Sequence, residues 1–240
     1  MKKMISLFLS VWLIISLPVF VFAEQKEIWR SAEKNDLCKN STIEIKNEQV
    51  LITKIEREKA DRFVVNEITV VPSLDSSTSE IVEKIKSGEL SIRLQSNNPS
   101  SSPGGIVENS EHDSAISMLG WVRSTYSQKT YNAKSALKLI KCSGGATVSD
   151  PTVQLVSQNV IYACNGRSVS NNQLVTQRKE RNPSMTSWSY NAPSTWVYVF
   201  DDAAALIGCS CTFTMKRVGS STHTWSLIIN ANVRVTDFTI

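Results

Sequence analysis

The chain has 240 residues with a formal net charge of +4, of which 41% are hydrophobic and 20% charged. Nine glycines and seven prolines exclude a collagen-like chain, and the plentiful apolar residues exclude a wholly disordered one. The chain has only one long apolar run, which excludes a multi-span membrane protein. At roughly 150 residues per domain, the length predicts one or two domains.

The first 23 residues have the pattern of a bacterial signal peptide. Lys2 and Lys3 precede an apolar run that ends in Val21-Phe22-Ala23. Val21 and Ala23 are the small residues that a signal peptidase requires before its cleavage site. A membrane anchor is the alternative, but a proline breaks the run and polar residues follow it at once. We therefore expect cleavage near Ala23, an extracellular mature protein, and no transmembrane segment in that mature chain.

The charge is divided unevenly after the predicted cleavage site. Residues 24–118 contain 12 basic and 17 acidic residues, whereas residues 119–240 contain 12 basic and 5 acidic ones. Such asymmetry indicates two segments with different roles. A Ser-, Pro- and Gly-rich stretch lies between them and predicts a flexible linker over 95–118. The expected organisation is an acidic mixed α/β segment over 24–94, the linker, and a basic β-sandwich-like domain over 119–240.

The acidic segment predicts two short helices and three strands. Residues 25–37 place apolar side chains loosely on one side, and 77–87 open with Ser and Thr before apolar residues at helical spacing. The charged stretch 56–62 is interpreted as a hairpin loop. The strands, rich in β-branched residues, are expected at 42–46, 50–55 and 63–71.

The basic half predicts an antiparallel β-sandwich or barrel. Short alternating or β-branched runs recur about every 12 residues with turn signals between them. The runs are 118–126, 136–142, 152–156, 159–164, 173–178, 195–200, 208–217 and 224–237. The overall fold class expected is therefore mainly β, with a small mixed α/β segment ahead of the sandwich.

The last two runs predict a β-hairpin, because they flank a Gly-Ser-Ser tip. Together with the stretches Leu137-Lys138-Leu139-Ile140-Lys141-Cys142-Ser143-Gly144-Gly145 and Val160-Ile161-Tyr162-Ala163-Cys164-Asn165-Gly166, this hairpin resembles a β-rich domain of uncharacterised secreted proteins of Gram-positive bacteria. The resemblance covers about residues 119–240. It implies secretion and a β-fold, and it carries no activity.

Four of the five cysteines lie in the basic half, and export would allow them to form disulfides. Cys209 and Cys211 share one strand face with Phe213, so both are expected to point inward. The hypothesis is that Cys164 pairs with Cys209 or Cys211 across the sandwich, with a second bond to Cys142 also open. Buried free thiols are the alternative. Cys38 is left as a free thiol or an intermolecular link.

Catalytic chemistry finds little support in the sequence. His112 falls in the predicted linker and His223 at a hairpin tip, where no second group holds a base in place. The acids of the basic half, including Asp201 and Asp202, are interpreted as solvated turn residues. No phosphate loop, dinucleotide motif or zinc-binding pattern is present. We therefore predict no catalytic residues, no metal and no cofactor, and favour a protein that is not an enzyme.

Two features suggest a binding surface. Trp188 and Tyr190 alternate along one stretch, and Trp196 and Tyr198 along another; exposed, they could stack against sugar rings, while core packing is the alternative. A basic cluster, Arg178, Lys179 and Arg181, could attract anionic cell-wall polymers or lipid surfaces. No recognised nucleic-acid module is present, so nucleic acid is not expected as a partner.

Three functions follow as hypotheses. The first is a secreted, non-catalytic module that binds a cell-wall polymer, a glycan or a surface protein. The second is a secreted toxin or bacteriocin-like effector that the acidic segment controls as a propeptide. A hydrolase is the third.

Overall fold

The computed structural model describes residues 26–28, 41–90, 92–94, 105–107, 116–220 and 222–233. The predicted signal peptide, Cys38 and most of the predicted linker lie outside these residues. Within them, strands form nearly all of the regular structure and every strand pairing is antiparallel. The predicted mainly-β fold is therefore confirmed.

The described residues up to 107 form six short or medium strands and one helix. The strands are β1 (Lys26–Ile28), β2 (Ser41–Lys46), β3 (Gln49–Lys59), β4 (Arg62–Pro72), β5 (Ile92–Leu94) and β6 (Gly105–Val107). The helix α1 (Thr78–Ser87) follows β4. The three predicted strands and the second predicted helix occur where expected. The charged stretch 56–62 is not a loop: β3 and β4 extend into it and leave only residues 60–61 between them, and Lys26–Ile28 is a strand instead of the start of a helix.

The described residues from 116 to 233 form nine strands, four of them longer than 11 residues. They are β7 (Ile116–Tyr131), β8 (Lys134–Val148), β9 (Val153–Arg167), β10 (Leu174–Val175), β11 (Arg178–Arg181), β12 (Ser187–Asn191), β13 (Val199–Phe200), β14 (Leu206–Arg217) and β15 (Thr224–Val233). The predicted final hairpin is the β14–β15 pair, confirmed by continuous pairing from Ile207–Val233 to Lys216–Thr224.

The larger sheet has eight strands in the order β1-β2-β3-β4-β7-β8-β12, and β13 also pairs with β8. Strand β4 pairs with β7 from Arg62–Ser127 to Pro72–Ile116. The acidic and basic segments therefore contribute neighbouring strands to one sheet. The division into separate domains stays a prediction.

The smaller main sheet has five strands, with β14 between β15 and β9, and with β10 and β11 on the other side of β9. Its inward side chains pack against the larger sheet. This core includes Tyr126, Leu137, Leu139, Cys142, Val160, Tyr162, Trp188, Phe213 and Ile229, all buried. The sheets thus form a sandwich, which is the arrangement that antiparallel sheets with one apolar face adopt.

The opposite face of the larger sheet carries a second core. Ile81 and Ile85 on α1 are fully buried in it, together with Ile52, Ile68, Leu119 and Trp121 from the sheet. Ser77 caps the helix by accepting a hydrogen bond of 3.2 Å from the Glu80 amide. Gly88 ends it at φ 77°, a left-handed conformation that glycine adopts without cost. The helix therefore covers one end of this outer face.

Candidate functional site

The other end of the same outer face carries a group of lysine and aromatic side chains, which we name the Tyr198 patch. Lys129 and Lys134 are exposed, and the other members are partly exposed. The patch consists of Lys129, Tyr131, Lys134, Lys138, Tyr198 and Phe200.

Strand register explains why these side chains share a face. Leu137 pairs with Val199, and both side chains point into the sandwich core. Their chain neighbours must point the other way because successive side chains on a strand alternate. Lys138 and Phe200 are therefore directed outward, and Tyr198 precedes the same strand.

The Tyr198 ring lies at the centre of the patch. The Nζ atoms of Lys129 and Lys138 lie 5.1 and 5.9 Å from its ring centroid, within the range of cation–π attraction. The Tyr131 ring centroid is 5.9 Å away. The Tyr198 hydroxyl donates a hydrogen bond of 3.0 Å to Ser127 Oγ, which fixes the ring over β7.

The lysines of the patch contact carbonyl and aromatic groups. Within the described part of the chain, Lys129, Lys134 and Lys138 have no carboxylate partner. Lys138 instead donates to the Ser194 carbonyl oxygen at 3.3 Å, and the Lys134 ammonium lies 5.7 Å from the Phe200 ring centroid. Two ammonium groups beside one ring therefore present concentrated positive charge to a ligand.

A cleft of about 400 Å³ adjoins the patch and shares Lys134 and Phe200 with it. The remaining lining residues are Ser135, Arg167, Asn172, Asp201 and Asp202. Arg167 and Asp202 form an ion pair of 3.4 Å between Nε and Oδ2. The Asp201 amide donates to the Ser135 carbonyl oxygen at 3.0 Å, which fastens this turn to the β7–β8 hairpin.

The two adjacent carboxylates of the cleft have different surroundings. Partial burial raises the pKa of Asp201, and the neighbouring Asp202 charge adds to that increase. The Asp202 carboxylate, in contrast, has Arg167 beside it and accepts a hydrogen bond of 2.9 Å from the Ala204 amide. The cleft therefore offers acceptors for hydroxyl groups next to a cationic and aromatic surface.

The predicted basic cluster forms the exposed strand β11 on the other sheet. Arg178 is ion-paired with Glu180 at 3.0 Å, and Asn159 donates to the same carboxylate at 2.8 Å. The Asn159 and Arg178 hydrogen bonds lower the pKa of Glu180. Lys179 and Arg181 have no carboxylate partner among the described residues. Two of the three residues of the predicted basic cluster are therefore available to an anion.

Gln177 links the start of β11 to the segment that leads into Tyr198. Its side-chain amide donates to the carbonyl oxygens of Cys164 and Val197 at 2.6 and 3.2 Å. Its side-chain oxygen accepts from the Val197 amide at 2.6 Å. Gln177 thus helps to join the side of the sandwich that carries the basic strand to the Tyr198 patch.

The two tryptophans named as candidates for a binding platform are buried, as the core-packing alternative expects. Trp188 is 4% exposed and Trp196 is 7% exposed. Trp188 donates its ring N–H to Gln158 Oε1 at 3.2 Å. Trp196 follows a turn in which its amide bonds to the Pro193 carbonyl oxygen, and only Val199–Phe200 forms a strand there. The alternation assumed over 195–200 therefore fails, and Trp196 and Tyr198 lie in different environments.

Tyr190 shares a face with Trp188, as the alternation predicted, but this face points into the sandwich. Its ring stacks on Trp188 with centroids 5.6 Å apart and on Tyr162 at 6.1 Å. The Trp196 ring centroid lies 5.8 Å from that of Tyr162. These four rings pack between the two sheets. Of the four aromatic residues named as binding candidates, only Tyr198 lies on the outer patch.

The four described cysteines are buried free thiols, so the predicted bridge from Cys164 to Cys209 or Cys211 is not formed. The physical reason is the sheet order: β9 and β14 are neighbours in one sheet, and Cys164 lies opposite Ile207. The Cys164 thiol is directed at the carbonyl oxygens of Leu137 and Val197. A bond from Cys164 could not bridge the sandwich as expected.

The sequence reasoning missed most of the patch. Lys129 and Lys134 were counted only in the net charge and Lys138 was named only within the resemblance, although Lys129 alternates with Tyr131 in the sequence. The Asn132-Ala133 turn that brings them together was also missed. Both turn residues have positive φ, 48° and 59°, as a two-residue hairpin requires.

Comparisons with known proteins found no matching family model, no similar curated protein and no similar solved structure. The resemblance stated for residues 119–240 therefore stays a prediction. In the described part of the chain, no helix has the length and apolar character needed to cross a membrane. The same residues contain no cluster of histidine, cysteine and acidic side chains arranged to hold a metal ion.

Proposed function

We propose that the protein is a secreted, non-catalytic module that binds an anionic glycan through the Tyr198 patch. The observation that carries the proposal is the pair of lysine ammonium groups beside the Tyr198 ring, neither of which has a carboxylate partner among the described residues. Secretion is supported by the sequence pattern of residues 1–23.

The chemistry of the patch fits an acidic sugar chain. The ammonium groups of Lys129 and Lys138 match carboxylate or phosphate groups on the polymer, and the aromatic rings offer apolar surface to the C–H faces of sugar rings. The adjoining cleft adds Asp201, Asp202 and Asn172, whose oxygen and amide groups suit sugar hydroxyls. A small apolar ligand would not use these charges.

The test uses polygalacturonate as an acidic polymer and an uncharged glucan of similar length, with binding measured by affinity electrophoresis at two salt concentrations. The double variant Lys129→Ala/Lys138→Ala should bind polygalacturonate about 5- to 10-fold more weakly, because two exposed charge contacts are lost. Binding by the unaltered chain should weaken as salt increases.

The control is Lys59→Ala/Lys216→Ala, which removes the same charge from positions outside the patch. It should bind like the unaltered chain. Equal losses in the two double variants would show that only net charge matters and would contradict the proposal. Tyr198→Ala supplies a second check, because it removes the ring and leaves the charge unchanged.

The effector hypothesis, in which the acidic segment is a detachable control arm, gains no support from the pairing of β4 with β7. Removing residues 24–94 would take away strands β2 to β4 and the helix together, leaving the β7 edge and Trp121 uncovered. The hydrolase hypothesis likewise lacks a base held beside a nucleophile among the described residues. The binding module remains the function that the geometry supports best.

A further inference from the structure

We propose that Cys142 and Cys209 form a disulfide across the sandwich when the chain folds in an oxidising compartment. The oxidising compartment is inferred from the proposed export, whereas the choice of these two cysteines is inferred from the geometry of the core. The bond would join β8 of the larger sheet to β14 of the smaller one.

The two cysteines face each other through their strand partners. Tyr190 lies directly opposite Cys142 on β12, and Tyr162 lies directly opposite Cys209 on β9. These two tyrosine rings stack across the interface with centroids 6.1 Å apart and planes inclined by 9°. Cys142 and Cys209 therefore lie beside the same contact between the sheets, and each is 1% exposed.

The two thiols are also neighbours in the core, because Cys142 is one of the groups that raise the pKa of Cys209. The Cys142 thiol contacts the Tyr190 carbonyl oxygen at 3.7 Å, and the Cys209 thiol contacts the Ser210 carbonyl oxygen at 3.8 Å. A disulfide joins two such neighbours where their Cβ atoms can approach to about 3.8 Å.

The other two cysteines have different neighbours. Cys164 lies in the same sheet as Cys209, and its thiol contacts two carbonyl oxygens. Cys211 is two residues from Cys209 on the same face and lies near the Trp188 side chain. Cys211 is therefore the competing partner for Cys142, and Cys164 is the isolated thiol.

The bond must form before the core closes. Burial raises the pKa of Cys209 well above its usual value, and raises that of Cys211 to about 12. Because the thiolate is the nucleophile, these thiols react slowly once buried. We therefore expect oxidation during folding and slow oxidation of the folded chain.

The reaction needs a disulfide-exchange donor, such as oxidised glutathione. One cysteine thiolate attacks a donor sulfur, forming a mixed disulfide and releasing one glutathione thiolate. The second cysteine thiolate attacks the mixed disulfide, forming the Cys142–Cys209 bond and releasing the other glutathione. The protein loses two electrons and two protons, and the donor is reduced to two thiols.

The experiment refolds the full chain carrying Cys38→Ser, with and without a mixture of oxidised and reduced glutathione. Remaining thiols are alkylated under denaturing conditions and peptides are mapped by mass spectrometry. We expect a Cys142–Cys209 linked peptide, with Cys164 and Cys211 alkylated. Alkylation of all four, or a link from Cys142 to Cys164 or Cys211, would overturn the assignment.

Two cysteine variants distinguish loss of the disulfide from a general folding defect. Cys209→Ala should abolish the link, whereas the matched Cys164→Ala, also at a buried cysteine, should retain it. Reduction should lower the Tm of the linked chain by about 10 °C and leave that of Cys209→Ala unchanged. An equal Tm loss in both would contradict the bond. Polygalacturonate binding, measured on the same samples, tests the proposed function separately.

Discussion

The two ends of the outer face of the larger sheet share strand β7 and have opposite chemistry. At one end Ile68, Leu119 and Trp121 are buried beneath α1. At the other end the same β7–β8 hairpin presents Lys129 and Lys138 beside an aromatic ring. The first end therefore contributes to stability, and the second is available for recognition.

Arg123 marks the boundary between the two ends. It follows the buried end on β7 and is only 8% exposed, and its Nε donates to Asn66 Oδ1 at 2.6 Å. Asn66 in turn donates to Glu56 Oε2 at 3.1 Å. Burial lowers the pKa of Arg123, while the Glu56 and Glu58 charges oppose that decrease. The transition from apolar to cationic surface thus passes through one paired polar network.

The largest expected effect comes from breaking the covered end. Ile81→Ala removes a fully buried side chain and should lower the free energy of unfolding by about 3 kcal/mol, because a cavity remains under the helix. Chemical denaturation measures the change. The exposed Glu83→Ala serves as control and should cost less than ~0.5 kcal/mol. If folded Ile81→Ala binds polygalacturonate as the unaltered chain does, stability at the covered end is independent of binding at the cationic end.

The next effect concerns the boundary. Asn66→Ala leaves the Arg123 guanidinium without its acceptor and should lower the free energy of unfolding by about 2 kcal/mol. The double variant Asn66→Leu/Arg123→Met should recover much of this loss, because it removes both polar partners. A single variant as stable as the exposed control Asn191→Ala would show that the network contributes nothing.

A smaller effect is expected at the hairpin tip of the cationic end. Ala133 has φ 59°, where a Cβ atom is unfavourable. Ala133→Gly should therefore raise the free energy of unfolding by about 0.5 kcal/mol, after the extra chain entropy of glycine is subtracted. Thermal unfolding tests this, and Thr130→Gly, within the strand, should have the opposite sign. If both glycine variants are less stable than the unaltered chain, the backbone at Ala133 is not strained.

The smallest effect depends on pH. An unfolded aspartate titrates near pH ~3.9. The raised pKa of Asp201 means that ionising it disfavours the folded state, so the penalty is absent below that pH and complete above the raised value. Asp201→Asn should therefore raise the Tm slightly at pH 7 and have no such effect at pH 3. An equal increase in Tm at both pH values would show that the ionisation of Asp201 is not the cause.

Local sequence signals predicted the elements well where the chain itself enforces them. Ser77 and Glu80 form the expected helix start, and the β14–β15 hairpin follows from alternation on both sides of a glycine turn. The two runs predicted at 152–156 and 159–164 are one strand, because β14 pairs along their whole length and continues across the polar residues between them. The length of this strand is therefore set by its pairing partner and not by the local propensity of its residues.

The candidate site was predicted in part. Tyr198 was named as a binding residue and belongs to the patch, while Trp188 and Trp196 are core residues. Aromatic alternation identifies a face but not the direction in which that face points, since burial depends on the sheet that packs against it. The lysines of the patch could be assembled only once the β7–β8 register was known.

The sequence by itself determined a mainly β chain, its uneven charge, its helix and its final hairpin, because these depend on residues close together in the chain. The tertiary structure alone decided that β4 joins β7, that Cys142 and Cys209 lie beside one contact between the sheets, and that Lys129 and Lys138 meet at Tyr198. Each of these contacts joins residues from separate strands. Their positions follow from sheet order and register, which local patterns leave open.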